Sequence, residues 1–381
     1  MRRSLISFVS VLAATCLVIP ASGCGQSTHD PLPVAGEDER PAPERINLVA
    51  IQMEAEPDRF ADEDSYREYI FDLMDMAADK TTLGPDSLVV FPEHVGTFTV
   101  LLGDGEIIGE SHDLAEAMEG IIRKNLVGLS FQRLRHQISW PRALFVSRQD
   151  RMAQLYFSVF SDLARKHRSY VVAGTAALSD RTLALYLPPE APGHPGENPC
   201  ARSVYNVSVV FGPEGEVLGA QRKVGLVELE GPGGLDLVAE DPERIRAVPT
   251  SLGRLGIAIC LDAFKDLVLD RLQEEQAEIL VQPSANPVPW AVWQQEEWLL
   301  SSWRAVYGEQ RFAYGVNPMM TGSLLDLEFF GQSALISALD DLVDEPAGYR
   351  FEGSRPGFLV VAGSDTGTEV VHFRVPLDPP D

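Results

Sequence analysis

Short apolar runs rich in β-branched residues alternate with stretches of helical spacing, and this alternation narrows the possible folds more than any other feature of the chain. The runs 46–53 (INLVAIQM), 87–91 (SLVVF) and 169–174 (SYVVAG) read as buried strands. Between them, Tyr66, Tyr69, Ile70, Leu73, Met74 and Ala77 fall on one face of a helix over 65–78, and 152–167 reads as another helix. The runs 204–211 and 216–222 flank Gly212-Pro213-Glu214-Gly215, a hairpin turn. Further strands are expected at 256–260 (GIAIC), 279–281, 312–316, 333–337 and 357–361, and helices at 267–275 and 292–307. Alternation early and hairpins late predict a layered α/β domain with a mixed sheet. No internal repeat occurs, and no second linker of inter-domain length follows Arg45, although 187–200 is a Pro/Gly-rich loop.

Composition excludes several classes. Of 381 residues, 45% are hydrophobic and 23% charged, which rules out a largely disordered, collagen-like or coiled-coil chain. Lys and Arg number 31 against 56 Asp and Glu, a net charge of −25, so the surface repels phosphate and a general nucleic-acid binder is not expected. Four cysteines are too few for a disulfide scaffold of this size. Walker A, GxGxxG, HExxH, CxxC and GxSxG patterns are missing, and the single Asp365-Thr366-Gly367 reads as a turn between strands.

Residues 1–23 read as an export signal. Arg2 and Arg3 precede an apolar stretch from Leu5 to Ile19, which is short for a membrane span and runs into Pro20 and small residues. The end, Ala21-Ser22-Gly23-Cys24, resembles a bacterial lipobox. That resemblance implies lipid on Cys24, a membrane anchor, and a place outside the cytoplasm at the bacterial envelope. An ordinary cleaved signal with an incidental Cys24 is the blander alternative. Residues 24–45 carry Pro31, Pro33, Pro41 and Pro43 with no apolar period and read as a tether. The folded domain is then expected over 46–375.

One segment inverts the overall charge. Residues 120–170 hold ten basic side chains against two acidic ones, Asp150 and Asp162. Such a stretch could lie on anionic head groups, pair with acidic surface of this chain or a second subunit, or form a solvated or internally paired helix face.

Three strand-like runs each lead into a residue able to do chemistry. Val89-Val90-Phe91-Pro92 delivers the carboxylate of Glu93, suited to a general base. Gln221-Arg222 delivers the ammonium of Lys223 after a hairpin strand. Gly256-Ile257-Ala258-Ile259 delivers the thiol of Cys260 before a helix, whose N-terminus would lower the thiol pKa and offer N–H groups to an oxyanion. Singly, these are a turn glutamate, a solvated lysine and a small core residue. Trp290, Trp293, Trp298 and Trp303 follow at helical spacing, most of them expected to pack and some to line a pocket.

In this order and context the runs resemble the nitrilase superfamily of carbon–nitrogen hydrolases, over nearly all of 47–371. LVAIQM, VVFPE, QRK and GIAICLD carry the resemblance, followed by the 282–287 loop, Arg304-Ala305, Asn317 and Gly331-Gln332-Ser333. It implies a four-layer α-β-β-α sandwich, a single catalytic domain, and pairing into a homodimer. It implies an amidase-type hydrolase of a non-peptide C–N bond, with a small-molecule amide substrate and no metal or organic cofactor. Cys260 would be the nucleophile, Glu93 the base, and Lys223 with the Leu261 N–H the oxyanion donors. Glu230 would orient Lys223 or the substrate, with Glu228 as competitor for that place. An acyltransferase using the same thioester, or a catalytically silent envelope binding protein, are the other readings. Gly225 stands where the family often has His, and about 100–150 reads as an insertion.

Overall fold

The computed structural model describes residues 42–377. The export signal, Cys24 and nearly all of the Pro-rich tether lie outside the described residues.

Two mixed sheets face each other. The ten-stranded sheet is built around Arg45–Ala55, which pairs in parallel with Ser87–Val90 on one side. On its other side Glu369–Pro376 runs antiparallel along 45–52, and Met319–Leu324 takes over in parallel at Met53–Ala55. Ser87–Val90 passes the sheet on to Tyr170–Val172, then to Val204–Phe211, which carries both Ala176–Ser179 and the hairpin partner Val217–Arg222. The six-stranded sheet runs in the order Phe358–Val361, Ala334–Ser337, Tyr314–Asn317, Ile279–Val281, Gly253–Ile257, Val248–Thr250.

The period of two along the first strand decides which face meets which layer. Ile46, Leu48 and Ala50, with Leu88, Val90, Tyr170 and Val172, pack on Leu255, Ile257, Ile279, Val281, Val316 and Leu335 of the other sheet. Val49, Ile51 and Met53, with Val89 and Val171, point the other way onto Tyr66, Ile70, Leu73, Phe157 and Phe160. Those last residues belong to the helices Glu63–Lys80 and Trp140–His167. Helices Asp266–Glu274 and Val292–Trp298 cover the outer face of the six-stranded sheet through Val268, Leu269, Leu272 and Trp298. Strands buried on both faces read as near-continuous apolar runs for this reason. The result is the expected four-layer α-β-β-α sandwich.

Three elements differ from the sequence expectation. The helix read as 152–167 starts twelve residues earlier, at Trp140, where the Ser139 hydroxyl accepts from Arg142 N–H at 3.3 Å and Pro141 sits in the first turn. The helix read as 292–307 breaks after Trp298 and resumes as a π-turn at Arg304–Gly308. Ser301 Oγ bonds back to the Trp298 carbonyl at 2.6 Å, and the Ser302 N–H goes to Gln282 Oε1 at 3.3 Å, so the local helical ladder is interrupted. The strand read as 256–260 is Gly253–Ile257, and it stops short of Cys260.

Residues 97–136 fold as a 3₁₀ turn, Thr97–Leu101, and the helices Gly105–Glu110, Leu114–Lys124 and Leu126–His136. Most side chains of the basic segment pair with the chain's own carboxylates. Arg123 pairs with Glu119, Lys124 and Arg148 with Asp104, Arg142 with Asp236, Arg151 with Glu63, Arg165 with Asp162 and Lys166 with Asp75. Among the described residues no helix is long and apolar enough to cross a membrane.

Candidate active site

Each chemical residue sits just past the end of a strand, on loops held by neighbouring strands. After Ser87–Val90, Phe91 still donates to the Val172 carbonyl at 2.9 Å, and the chain then turns through Pro92 to Glu93. The turn is tight because Gly174 faces it: a Cβ at Gly174, whose φ is +55°, would stand 1.9 Å from the Pro92 carbonyl oxygen. Lys223 continues the Val217–Arg222 strand by one residue, donating its N–H to the Asn206 carbonyl at 2.9 Å. Glu230 closes a turn, donating to the Val227 carbonyl at 3.0 Å while its Oε2 accepts the Val227 N–H at 3.0 Å.

These turns bring three ionisable groups together in the core. Lys223 Nζ donates to Glu93 Oε1 at 2.6 Å and to Glu230 Oε2 at 2.7 Å. Their side chains are 0–1% exposed. Burial alone would lower the ammonium pKa, but the two adjacent carboxylates outweigh it and hold it above its ordinary value. Burial would raise Glu230, and Lys223 foremost pulls it below the usual carboxylate range. Glu230 thus takes the second-carboxylate position. Glu228 makes no hydrogen bond through its side chain among the described residues.

Asn206 completes the arrangement and escaped the sequence reading. Its amide Nδ2 donates to Glu93 Oε1 at 2.9 Å and to Glu230 Oε1 at 2.5 Å, tying both carboxylates into one frame. The signal was present as a polar residue inside an otherwise apolar strand, VYNVSVVF, where a buried amide must find partners. Glu93 Oε2 accepts from no described group, and it is the oxygen left for a proton. His94, at φ +65°, is fixed by its N–H to Thr175 Oγ1 at 2.8 Å. Ligand-type atoms of Glu93, His94 and Glu230 lie within 4.8 Å of one another, and the positive charge between the two carboxylates is that of Lys223.

Cys260 begins a one-turn 3₁₀ helix, Cys260–Phe264, with φ +49°. A left-handed non-glycine residue costs of order 1–3 kcal/mol and persists only when its surroundings fix it. Here the Cys260 N–H donates to the Pro283 carbonyl at 2.9 Å, and the Cys260 carbonyl accepts from Gln282 Nε2 at 3.2 Å. The expected lowering of the thiol pKa by a helix N-terminus is not what the surroundings produce. The turn is too short for a macrodipole, and burial, then the charge of Glu93, push the thiol up, against the pull of Lys223. A thiol placed so needs a base to take its proton. The Leu261 N–H donates to no described group, leaving it free for a developing oxyanion.

The residues around the 282–287 loop form its support. Asn317 Nδ2 holds the Gln282 carbonyl at 2.7 Å and Ser284 Oγ at 3.0 Å, while Trp298 Nε1 donates to Asn317 Oδ1 at 3.0 Å. Trp290 Nε1 donates to Gln332 Oε1 at 3.0 Å. Trp290 and Trp298 are therefore packed and satisfied, whereas Trp293 is exposed. Arg304 pairs with Asp266 and Glu309 at the surface. Cys200 is free, as is Cys260. At Gly225, Lys265 fills the space: its Cε lies 2.3 Å from where a Cβ would stand.

A model of the carbon–nitrogen hydrolase family matches residues 67–346. The chain belongs to that family. Among solved structures it resembles a carbon–nitrogen hydrolase from Helicobacter pylori G27, with a TM-score of 0.56 and 17% identity over 88% of this chain and 90% of that one. It also resembles a Saccharomyces cerevisiae member of branch 10 of the nitrilase superfamily, with a TM-score of 0.51 and 16% identity over 90% and 93% of the two chains. A double mutant of the amidase from Nesterenkonia sp. AN1 in complex with acrylamide gives a TM-score of 0.51 and 14% identity over 88% and 92%. No curated protein sequence matches this chain.

Proposed function

We propose that this carbon–nitrogen hydrolase is an amidase-type enzyme that cleaves a non-peptide amide or carbamoyl C–N bond through a thioester on Cys260. The observation that carries the reading is the buried ammonium of Lys223 shared by Glu93 and Glu230, beside a thiol whose pKa burial and then the Glu93 charge raise. Glu93 takes the thiol proton as sulfur bonds to the carbonyl carbon, and the oxygen becomes an oxyanion. Lys223 and the Leu261 N–H stabilise that charge in a site already oriented for it. The C–N bond breaks as Glu93 returns its proton to the leaving nitrogen. Water then attacks the thioester, Glu93 takes its proton, and the C–S bond breaks to restore thiol and carboxylate. Glu230 and Asn206 hold Lys223 and Glu93 in place throughout. The amidase neighbour in complex with acrylamide supports an amide as the substrate class. In this reading the leader places the enzyme outside the cytoplasm at the bacterial envelope, anchored by lipid on Cys24.

Release of ammonia or amine from a panel of amides, carbamoyl compounds and nitriles tests the proposal, with the chain from Gly25 beside Cys260→Ala. Release that vanishes in the variant supports it and names the substrate class. Release that survives in Cys260→Ala overturns it.

A further inference from the structure

We propose that the helix Leu126–His136 docks this protein onto an anionic lipid bilayer, with Val127, Phe131 and Leu134 entering the lipid and the arginines around its C-terminal end on the head groups. Val127 is 89% exposed, Phe131 62% and Leu134 80%. At about 100° per residue these three fall within roughly 60° of arc on one helix face. Leu129, 1% exposed, lies nearly opposite and is the side chain that packs into the core. The helix therefore holds to the fold by one side and shows water a stripe of large apolar groups on the other. Scattered apolar residues at a surface are ordinary, whereas a one-sided stripe of this kind marks an interaction face.

The charge around the stripe identifies the partner. The whole chain is at −25, yet cations gather here. Arg133 lies over the Trp140 ring at 4.7 Å. Among the described residues neither it nor Arg135, Arg181 or Arg202 has an ion-pair partner. The His136 imidazole is held below its ordinary value by burial and then by the charges of Arg135, Arg181 and Arg202. At the other end of the helix, a groove of about 440 Å³ lies between Leu126 and Val127 and the basic side chains Arg123, Lys124 and Arg148. Arg123 pairs with Glu119, but Lys124 and Arg148 share the one carboxylate of Asp104, so these groups together leave that end net positive. An apolar stripe flanked at both ends by cations suits the boundary between acyl chains and anionic head groups. A second copy of this chain would bring the same cations against these, like charge on like. Three apolar side chains are also far fewer than the roughly 20–30 residues a side that a stable protein interface buries.

The test is sedimentation of the chain from Gly25, which keeps the whole unit Leu32–Asp381, with vesicles of phosphatidylcholine alone or with about a third phosphatidylglycerol. Without Cys24 no lipid anchor contributes. The expected result is binding to the anionic vesicles only, weakened by salt. Binding should fall at least about tenfold in Val127→Ser/Phe131→Ser/Leu134→Ser and in Arg133→Glu/Arg135→Glu. Melting temperature and thiol labelling of Cys260 should be unchanged in both variants. The proposal is overturned if the parent chain ignores anionic vesicles, or if parent and variants bind alike. It is also overturned if the parent self-associates in solution and the apolar variant abolishes that, which would make the face an interface between copies. Binding is read without turnover, so its failure leaves the hydrolase reading untouched.

Discussion

The carboxylate of Asp262 holds the backbone of Gly225: its Oδ1 accepts the Gly225 N–H at 2.6 Å, and its Oδ2 accepts the Val224 N–H at 3.0 Å. The turn that carries Cys260 is thereby fastened to the loop that leaves Lys223. Asp262 is buried, and burial raises its pKa to about 7 despite those N–H bonds and the charge of Lys223. Between about pH 4 and about 7 the unfolded carboxyl, near 3.8, has lost its proton while the folded one keeps it. The unfolded state then binds fewer protons, so this group's share of stability falls as pH rises through that window and levels above it. Asp262→Asn should flatten that slope in melting temperature against pH, compared with the parent chain. An unchanged slope would contradict the assignment.

Activity should move the other way over the same range. Only the ionised carboxylate accepts from both N–H groups, so the loop is best fixed above about pH 7. The rate should climb with pH toward that value, and Asp262→Asn should lose the step. The measurement is kcat against pH for both chains.

Glu93→Gln keeps the shape and still offers a carbonyl oxygen to Lys223 and Asn206, but it cannot take a proton. The expected loss in kcat is about 10²- to 10⁴-fold, with melting temperature little changed. Alkylation of Cys260 by a small electrophile should slow in parallel, because no base then takes the thiol proton, although loss of the Glu93 charge relieves part of the upward push on the thiol. Full activity in Glu93→Gln would remove Glu93 from the proton's path.

Lys223→Met leaves Glu93 and Glu230 buried, adjacent and without a cation. Removing one partner of a buried ion pair costs about 3–5 kcal/mol, and the variant should melt far lower. Adding Glu230→Gln should recover much of that stability and none of the activity. Denaturant melts of the single and double variants check the first claim, and turnover checks the second.

Gly174→Ala tests the packing behind the base. The residue needs φ +55°, and its Cβ would meet the Pro92 carbonyl oxygen at 1.9 Å. The cost should exceed the roughly 1 kcal/mol of an ordinary glycine-to-alanine change at a left-handed position. The displaced turn should also lower kcat more than KM changes. A variant as stable and active as the parent would mean that the turn has room.

The candidate site residues were legible where strand ends announce themselves in sequence. Glu93, Lys223 and Cys260 each follow a strand-like run, and a polar or thiol side chain at such an exit stands out. Glu230 was placed by resemblance and lies where the carboxylate pair needs it. Asn206 was not seen and Asp262 stood in its motif without a role, since their partners, Glu93 and the Val224–Gly225 backbone, are 113 and about 38 residues away. Spacing carries no record of such contacts. The same limit hid the Val292–Trp298 break, whose cause is a hydrogen bond from Ser302 to Gln282 on another layer. The three helices between Gly105 and His136 went unread although Leu114, Ala117, Met118 and Ile121 stand at helical spacing, because the stretch reads only as an insertion.

Partitioning by hydroxylamine tests the proposed thioester on Cys260 most directly. Amides that share an acyl group but differ in the leaving amine would be turned over in its presence. A common thioester predicts one ratio of hydroxamate to acid for every leaving group, with neither product formed by Cys260→Ala. A ratio that follows the leaving amine, or turnover that survives in Cys260→Ala, would contradict it.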